Sequence, residues 1–402
     1  MPSNLAVANA ITKIGYGDIH EQLDDYLIAL KKVESGSQKL TFGGVQAQFA
    51  VHVGRNQGIG SLNEFDDLPD AGQNKDAIAS LFLKYQYGRV QGTGQVFKQV
   101  QSAPEAFVDW MKREVDTIKD SLQRDLNRQV YGDGTGTIAT LTSAPSGGST
   151  FTVDDSHWLE EDMTVDVLTQ ATLANTTPTK GNTALLTIVS VDPSTNTITV
   201  SGGTVTATTG SVVVRARNTN NNWKKEWEGL GLIVSTTSTL HGINPAVTSK
   251  WKAGYVASSV GTLTELAMTR LVQGISQKGG NVTDFLTTYG VANAYWNTLQ
   301  GLRRYDGGDG LKGGATTPVF QSVNGNIPFT LDWAAPAGTI HAINTKEMFL
   351  HQEADWAWMD MTGSMWQQVP NKDAYSATMF KYSNIGVTRR NSFGKLTGIT
   401  EL

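Results

Sequence analysis

Three stretches of this chain carry side chains that could do chemistry. Gly132-Asp133-Gly134-Thr135-Gly136 has the glycine density of a phosphate loop. A phosphate cradle must precede a helix, so that N-terminal amides and the helix dipole can hold the anion. This stretch instead follows a helical pattern, and no Gly-Lys-Ser/Thr comes after it, so it reads as a helix stop and turn. His351, Glu353 and Asp355 are metal-capable, but they lack the His-x-x-x-His spacing that sets two ligands on one helical face. They read as a polar stretch beside Trp356 and Trp358. His157, Glu160 and Glu161 hold acids close enough for acid–base work, which would also need a pocket and shifted pKa values. They read as a solvated loop. No serine sits in a Gly-x-Ser-x-Gly elbow, and the six histidines are scattered. The chain has no cysteine, which excludes disulfides, thiolate catalysis and cysteine metal sites together. We therefore expect no catalytic, cofactor-binding or metal-binding residues, and a protein that is not an enzyme.

The bulk numbers agree with a folded, weakly charged protein. Of 402 residues, 39% are hydrophobic and 17% charged, enough for two or three units with sizeable cores. The formal net charge of -5 argues against a general nucleic-acid binder, which carries a basic excess on one face. The start of the chain lacks a basic region followed by an apolar core, so no signal peptide is expected. No apolar run approaches the roughly 18 residues of a membrane span. Ten tryptophans spread from Trp110 to Trp366 suit cores and subunit contacts better than one stacking site.

Residues 1–37 read as an arm with one short helix. Asp18 can cap it, and Leu23, Tyr26, Leu27 and Leu30 recur at helical spacing up to Ser35-Gly36-Ser37. Residues 38–101 change character. Val45 to Val53 alternates like a strand, and Leu81 to Tyr87 reads as its partner. Between them, residues 61–76 hold turn formers, five acids and Lys75. The spacing predicts a long two-stranded arm with an acidic tip. A lone hairpin is marginal in water, so the arm needs a surface to lie on, and a neighbouring subunit would supply it.

Residues 102–131 form the clearest helical pattern. Ser102 and Glu105 make a capping box, with Pro104 in the first turn. Phe107, Met111, Val115, Ile118, Leu122, Leu126 and Val130 fall within an arc of roughly 140°. Most charges fall outside that arc; Asp125 falls inside it and is an exception. Residues 140–220 are compositionally separate, with 28 Ser or Thr and only Lys180, Arg215 and Arg217 as basic residues. A hairpin at 187–200 and strands at Met163 to Leu168 and Ser211 to Arg217 mark a small all-β insertion. Further on, helices are expected at 262–277 and 290–301. Strands are expected at Leu230 to Val234, Thr339 to Ile343 and Ile385 to Thr388. A Gly-rich loop interrupts 307–314.

The order of arm, hairpin, long helix and mixed domain resembles the major capsid proteins of tailed bacteriophages, the HK97-like shell fold. The resemblance is carried by residues 54–136: Gly58-Ile59-Gly60, Leu68-Pro69-Asp70-Ala71-Gly72, Lys84-Tyr85-Gln86-Tyr87-Gly88 and Asp125 through Gly136. These phrases look like those of actinobacteriophage-type subunits. The resemblance implies an α+β fold with 1–37 as the N-terminal arm, 38–101 as the extended E-loop, and 102–139 as the spine helix and start of the peripheral domain. It makes 140–220 an all-β insertion, 221–245 peripheral domain, 246–375 axial domain and 376–402 a return to the peripheral domain. It further implies self-assembly into hexamers and pentamers of an icosahedral head in the virion, built in the host cytoplasm. Scaffolding and decoration proteins would be partners, double-stranded DNA would be contacted nonspecifically, and no membrane or cofactor would be involved. Lys39 and Lys75 match no crosslinking motif.

For inter-subunit contact, the acids Glu64, Asp66, Asp67 and Asp70, with Lys75, would meet a basic patch at Arg303-Arg304 or Arg389-Arg390. Such pairing sets register more than affinity. Two other readings use the β-rich block: a phage tail or fibre component, or a glycan-binding surface protein.

Overall fold

The computed structural model describes residues 27–36, 46–95, 104–169, 178–217, 220–221, 223–300, 319–322, 325–360 and 365–402. Asp18, Leu23, Tyr26, Arg303, Arg304 and the Gly-rich loop 307–314 lie outside these residues. The first helix, α1 (Ile28–Gly36), buries Ala29, Leu30 and Val33. Nine residues are too few to hold a helix in water, so docking must hold it. Its early amides are capped from far along the chain. Ala29 N–H donates to Asp332 Oδ2 (3.1 Å) and Leu30 N–H to Asn127 Oδ1 (2.9 Å).

The arm is an antiparallel pair, β1 (Gln46–Gly54) with β2 (Lys75–Phe82), in register from Gln46 opposite Phe82 to His52 opposite Asp76. The strand partner expected at Leu81 to Tyr87 is corrected here. The chain breaks at Leu83, and β3 (Lys84–Thr93) leaves for another sheet. Leu81-Phe82-Leu83 is a short apolar run that continues directly into Lys84-Tyr85-Gln86-Tyr87 with no turn former between, so the local sequence does not show the break. Within the arm, Ala47, Ala79 and Leu81 face inward against Phe349, whose ring meets Phe49 edge-on at 5.6 Å.

The long helix α2 (Pro104–Tyr131) spans about 42 Å. It lies on β3 at Gly88, where a Cβ would meet Leu122 Cδ1 at 2.6 Å, so only glycine lets helix and strand approach this closely. β3 pairs antiparallel with β21 (Ala374–Val387) from Lys84 opposite Ser383 to Thr93 opposite Ala374. On its other edge, β21 takes β19 (Met348–Trp358) and the short β20 (Gln367–Gln368). The far end of α2 meets the chain again at Gly229, where a Cβ would lie 2.3 Å from the Gln129 carbonyl oxygen.

After α2, an eight-stranded sheet occupies residues 137–221. It contains β4 (Thr137–Thr140), β6 (Thr150–Thr152), β7 (Thr164–Thr169), β8 (Thr179–Lys180), β9 (Leu186–Asp192), β10 (Thr197–Ser201), β12 (Val212–Arg217) and β13 (Asn220–Asn221). The order is β13-β12-β7-β9-β10-β6, with β4 also on β12 and β8 on β7. Two short strands, β5 (Ser146–Gly148) and β11 (Val205–Thr206), pair beside it. The sheet has its own apolar cluster, including Phe151, Val165, Val167, Ile188, Ile198 and Val213.

The strand expected at Leu230 to Val234 is instead a helix, α3 (Leu230–Ile233). Its apolar run has no alternation, and Leu230, Ile233 and Val234 are all buried, so length and period could not tell helix from strand. The remainder forms β14 (Tyr255–Ala257), α4 (Glu265–Gln277), β15 (Asp284–Thr287), α5 (Tyr289–Gln300), β16 (Val319–Ser322), β17 (Gly325–Leu331), β18 (Ile340–Ile343) and β22 (Gly394–Leu396). Thr264 caps α4 through a bond from Ala267 N–H. The six strands order as β14-β22-β18-β15-β17-β16, and the helices cover them over Met268, Leu271, Ile275, Val291 and Tyr295.

Candidate assembly interface

The three chemistry-bearing stretches lie on separate elements. Gly134 and Gly136 take positive φ at the end of α2, and Asp133 accepts from the backbone N–H and hydroxyl of Thr135. This is a closed turn behind a helix, and Gly231 N–H donates to the Gly132 carbonyl at 3.0 Å, so the turn is packed against protein backbone. His157 contacts Asp155 Oδ1 at 2.7 Å and packs on Trp158, while Glu160 and Glu161 point to solvent. On β19, His351 is buried and Asp355 faces Lys381 at 3.4 Å. Irregular register between Gln352 and Ala357 separates the two, and no group of three metal-capable side chains converges among the described residues.

The polar chemistry gathers instead at the last turns of α2. Arg128 contacts Asp125 Oδ1 (3.1 Å) and Glu226 Oε1 (2.6 Å), and Arg215 of β12 reaches Asp125 at 3.5 Å. Burial works against the Asp125 carboxylate, yet Arg128, Arg215 and a bond from Gln129 hold its pKa down at about 2. Burial and the Asp125 charge push Glu226 up against the pull of Arg128. One turn further, Asp332 accepts from Tyr131 Oη (2.9 Å), Asn127 Nδ2 and the backbone of Ala29 and Ala334. This knot fixes α1, α2, the insertion and the Asp332 turn in one frame. Asp125, a charged exception in the apolar stripe, was a trace of it in the sequence.

From that frame the arm extends. Its inner face is buried, and its outer face shows Ile78 (67% exposed) and Phe82 (52%). Beyond the strands, Asn56 clamps the two legs of the loop. Its Nδ2 donates to the Gly72 carbonyl (3.0 Å) and its Oδ1 accepts from Gly58 N–H (2.7 Å). Glu64, Asp66, Asp67 and Asp70 are exposed at the tip, and so is Lys75 at the root. The tip is also apolar, which the acid count concealed: Ile59, Leu62 and Leu68 are exposed, and Phe65 is 97% exposed at a φ of 73°. An aromatic residue holding positive φ is uncommon, and four exposed apolar side chains around one loop make an apolar patch.

The structure divides the expected basic patch. Arg389 is half-exposed, with Nη1 3.7 Å from Glu347 and Nη2 donating to the Gly279 carbonyl. Arg390 is corrected as a contact residue. It is 1% exposed, and its guanidinium donates to the carbonyls of Ile233, Leu232, Ser238 and Trp251. Burial without a carboxylate lowers its pKa to about 10. It ties α3 to the Trp251 segment, and its donors are spent on carbonyls of its own chain.

Comparison with known proteins bears on this architecture. No protein-family model matches the sequence, and no curated protein matches it. Solved structures do. The capsid asymmetric unit of cyanophage A-1(L) aligns with a TM-score of 0.58 and 12% identity, covering 95% of this chain and 97% of that one. A subunit in the capsid of a native GTA particle aligns at 0.51 and 8% identity, covering 96% and 94%. At these identities the likeness shows the fold. The chain has the α+β, HK97-like architecture of capsid subunits over nearly its whole length.

Proposed function

We propose that the chain is a major capsid protein, a structural and non-catalytic subunit that tiles an icosahedral phage head with copies of itself. The observation that carries this is the clamped arm. It combines an exposed apolar anchor, Ile59, Leu62, Phe65 and Leu68, with a subunit whose fold matches capsid subunits end to end. An apolar loop held out in water is costly for a monomer, and in an assembly it lies on the next subunit. Each contact is modest, and many acting together give a stable shell. Hexamers and pentamers would form as the axial domains of neighbouring subunits meet at common centres. The eight-stranded insertion would stand on one face of the shell. Scaffolding and decoration proteins and nonspecific contact with double-stranded DNA belong to the same reading.

Expression of the full chain, followed by negative-stain imaging, tests it. Closed shells of uniform size are expected. Tubes, trimers or monomers alone would overturn it. With Phe65→Ser and Leu68→Ser together, the subunit should stay folded by circular dichroism while shell yield falls at least about tenfold, since interface anchors of this kind carry most of the binding. Normal shell yield would remove the anchor from the mechanism.

A further inference from the structure

A cleft of about 1050 Å³ opens between the base of the arm, the end of α4 and the turn at Thr388 to Asn391. Arg55, Lys250, Lys252, Lys278, Arg389 and the largely buried Arg390 line it, with Val53 among its apolar walls, and no aspartate or glutamate is in the lining. Arg389 is engaged by Glu347 (3.7 Å) and Lys278 donates to the Ala253 carbonyl (3.3 Å). Arg55, Lys250 and Lys252 have no carboxylate partner among the described residues. Six cations crowded into one concavity repel one another, so the cleft favours an anionic occupant.

We infer that the occupant is the loop tip Glu64 to Asp70 of a second copy of this chain, seated with its acids on these cations and Phe65 against the apolar wall. The tip is the complement on the page: four exposed acids, Glu64, Asp66, Asp67 and Asp70, surround an aromatic ring that is 97% exposed. That exposure also shows that the tip does not occupy its own cleft, one wall of which is built by Val51 to Gln57 at the root of the same loop. A polyphosphate backbone would satisfy the cations and leave the valines uncovered, whereas the tip supplies both kinds of contact. Plug and socket on one chain make a head-to-tail contact, which closes into a ring when the rotation per subunit allows it. The inference rests on the capsid reading and adds to it a receptor for the arm.

Charge-reversal and rescue test it on the full chain. Lys250→Glu with Lys252→Glu, and separately Asp66→Lys with Asp67→Lys, should each cut shell yield at least about tenfold. The four substitutions together should restore it to within about threefold, because like charges facing each other oppose docking and the swap recreates the pair. Matched thermal melts exclude misfolding. If the wild type assembles and the reversals assemble equally well, or the quadruple variant shows no rescue, the socket is wrong while the capsid reading stands. If the cleft variant assembles and only loses retained DNA, the occupant is nucleic acid and the inference falls. If the wild type forms no shells, the capsid reading falls. A synthetic peptide of residues 60–72 titrated onto the full chain then decides the socket alone: binding that is salt-sensitive and weakened at least about tenfold by Lys250→Glu with Lys252→Glu supports it, and no binding overturns it.

Discussion

Arg128 Nη2 lies 2.6 Å from Glu226 Oε1, joining the last turn of α2 to the segment by which the chain returns from the β insertion. Both groups are buried, with side-chain exposures of 8% and 4%. Removing one partner leaves the other charge uncompensated, which costs about 3–5 kcal/mol, whereas replacing both with apolar residues is far milder. Arg128→Met should therefore lower the unfolding free energy of the unassembled subunit by that amount in urea. Arg128→Met with Glu226→Leu should recover most of the loss. Equal losses in the single and double variants would show that the pair does not act as a unit.

Asp125 links the same knot to pH. Its folded pKa is lowered from 3.8 to about 2, so its contribution is full above the unfolded value and lost as pH falls toward the folded one. The shift corresponds to about 2 kcal/mol. The stability curves of wild type and Asp125→Asn, measured by denaturant between pH 6 and 2, should converge below about pH 4. Parallel curves across that window would contradict the linkage.

His341 titrates in a higher window. It stands opposite Lys395 in the ladder of β18 and β22, and burial with that lysine beside it lowers its pKa from 6.5 to about 3. The folded state keeps the ring neutral while the unfolded chain takes up a proton below the ordinary value. Stability from this site is therefore lost as pH falls from 6.5 toward 3. His341→Gln should flatten that decline even if it lowers stability at neutral pH. An unchanged slope between pH 6.5 and 4.5 would exclude the histidine as its source.

Arg390 spreads its donors over four carbonyls from three segments. Lysine keeps the charge but cannot present the planar fork. Arg390→Lys should destabilise the subunit by about 2–4 kcal/mol, since several buried carbonyls lose their donor together. Wild-type stability in that variant would mean that water replaces the guanidinium without loss.

The elements that could be read from the sequence were those with a sustained period. The helix at 102–131 carries its stripe through seven turns and appears as Pro104–Tyr131. The 187–200 hairpin appears as β9 and β10, with Asn196 at positive φ in its turn. What could not be read depends on contacts distant along the chain. Leu81 to Tyr87 holds no turn former, yet β3 is claimed by β21, almost three hundred positions away. Arg389 and Arg390 are adjacent and chemically identical, and only the fold sends one to the surface and the other under α3. The basic cleft draws on residues 55, 250, 252, 278 and 389, so no local window contains it.

The insertion shows how a local boundary and a tertiary one differ. Its chain enters and leaves on adjacent antiparallel strands, with Thr140 opposite Val212, and Leu141 and Ser211 bonded backbone to backbone just beyond. The neck is therefore a hairpin that a short turn could close. β12 also carries Arg215 to Asp125, and Trp158 Nε1 donates to the Ala334 carbonyl. Replacing residues 142–210 with a two-residue turn keeps β4, β12 and Arg215 while losing the Trp158 contact. Replacing 145–215 removes β12 and leaves both β4 and Asp125 without those partners. The first variant should fold with a modest loss of stability, and the second should lose about 1–2 kcal/mol more, the cost of breaking a partly exposed charge contact, discounted for solvent screening, and a strand pairing together. Urea unfolding of the two purified subunits measures the difference. Equal stability would mean that the β4–β12 neck contributes nothing to the knot at the end of α2.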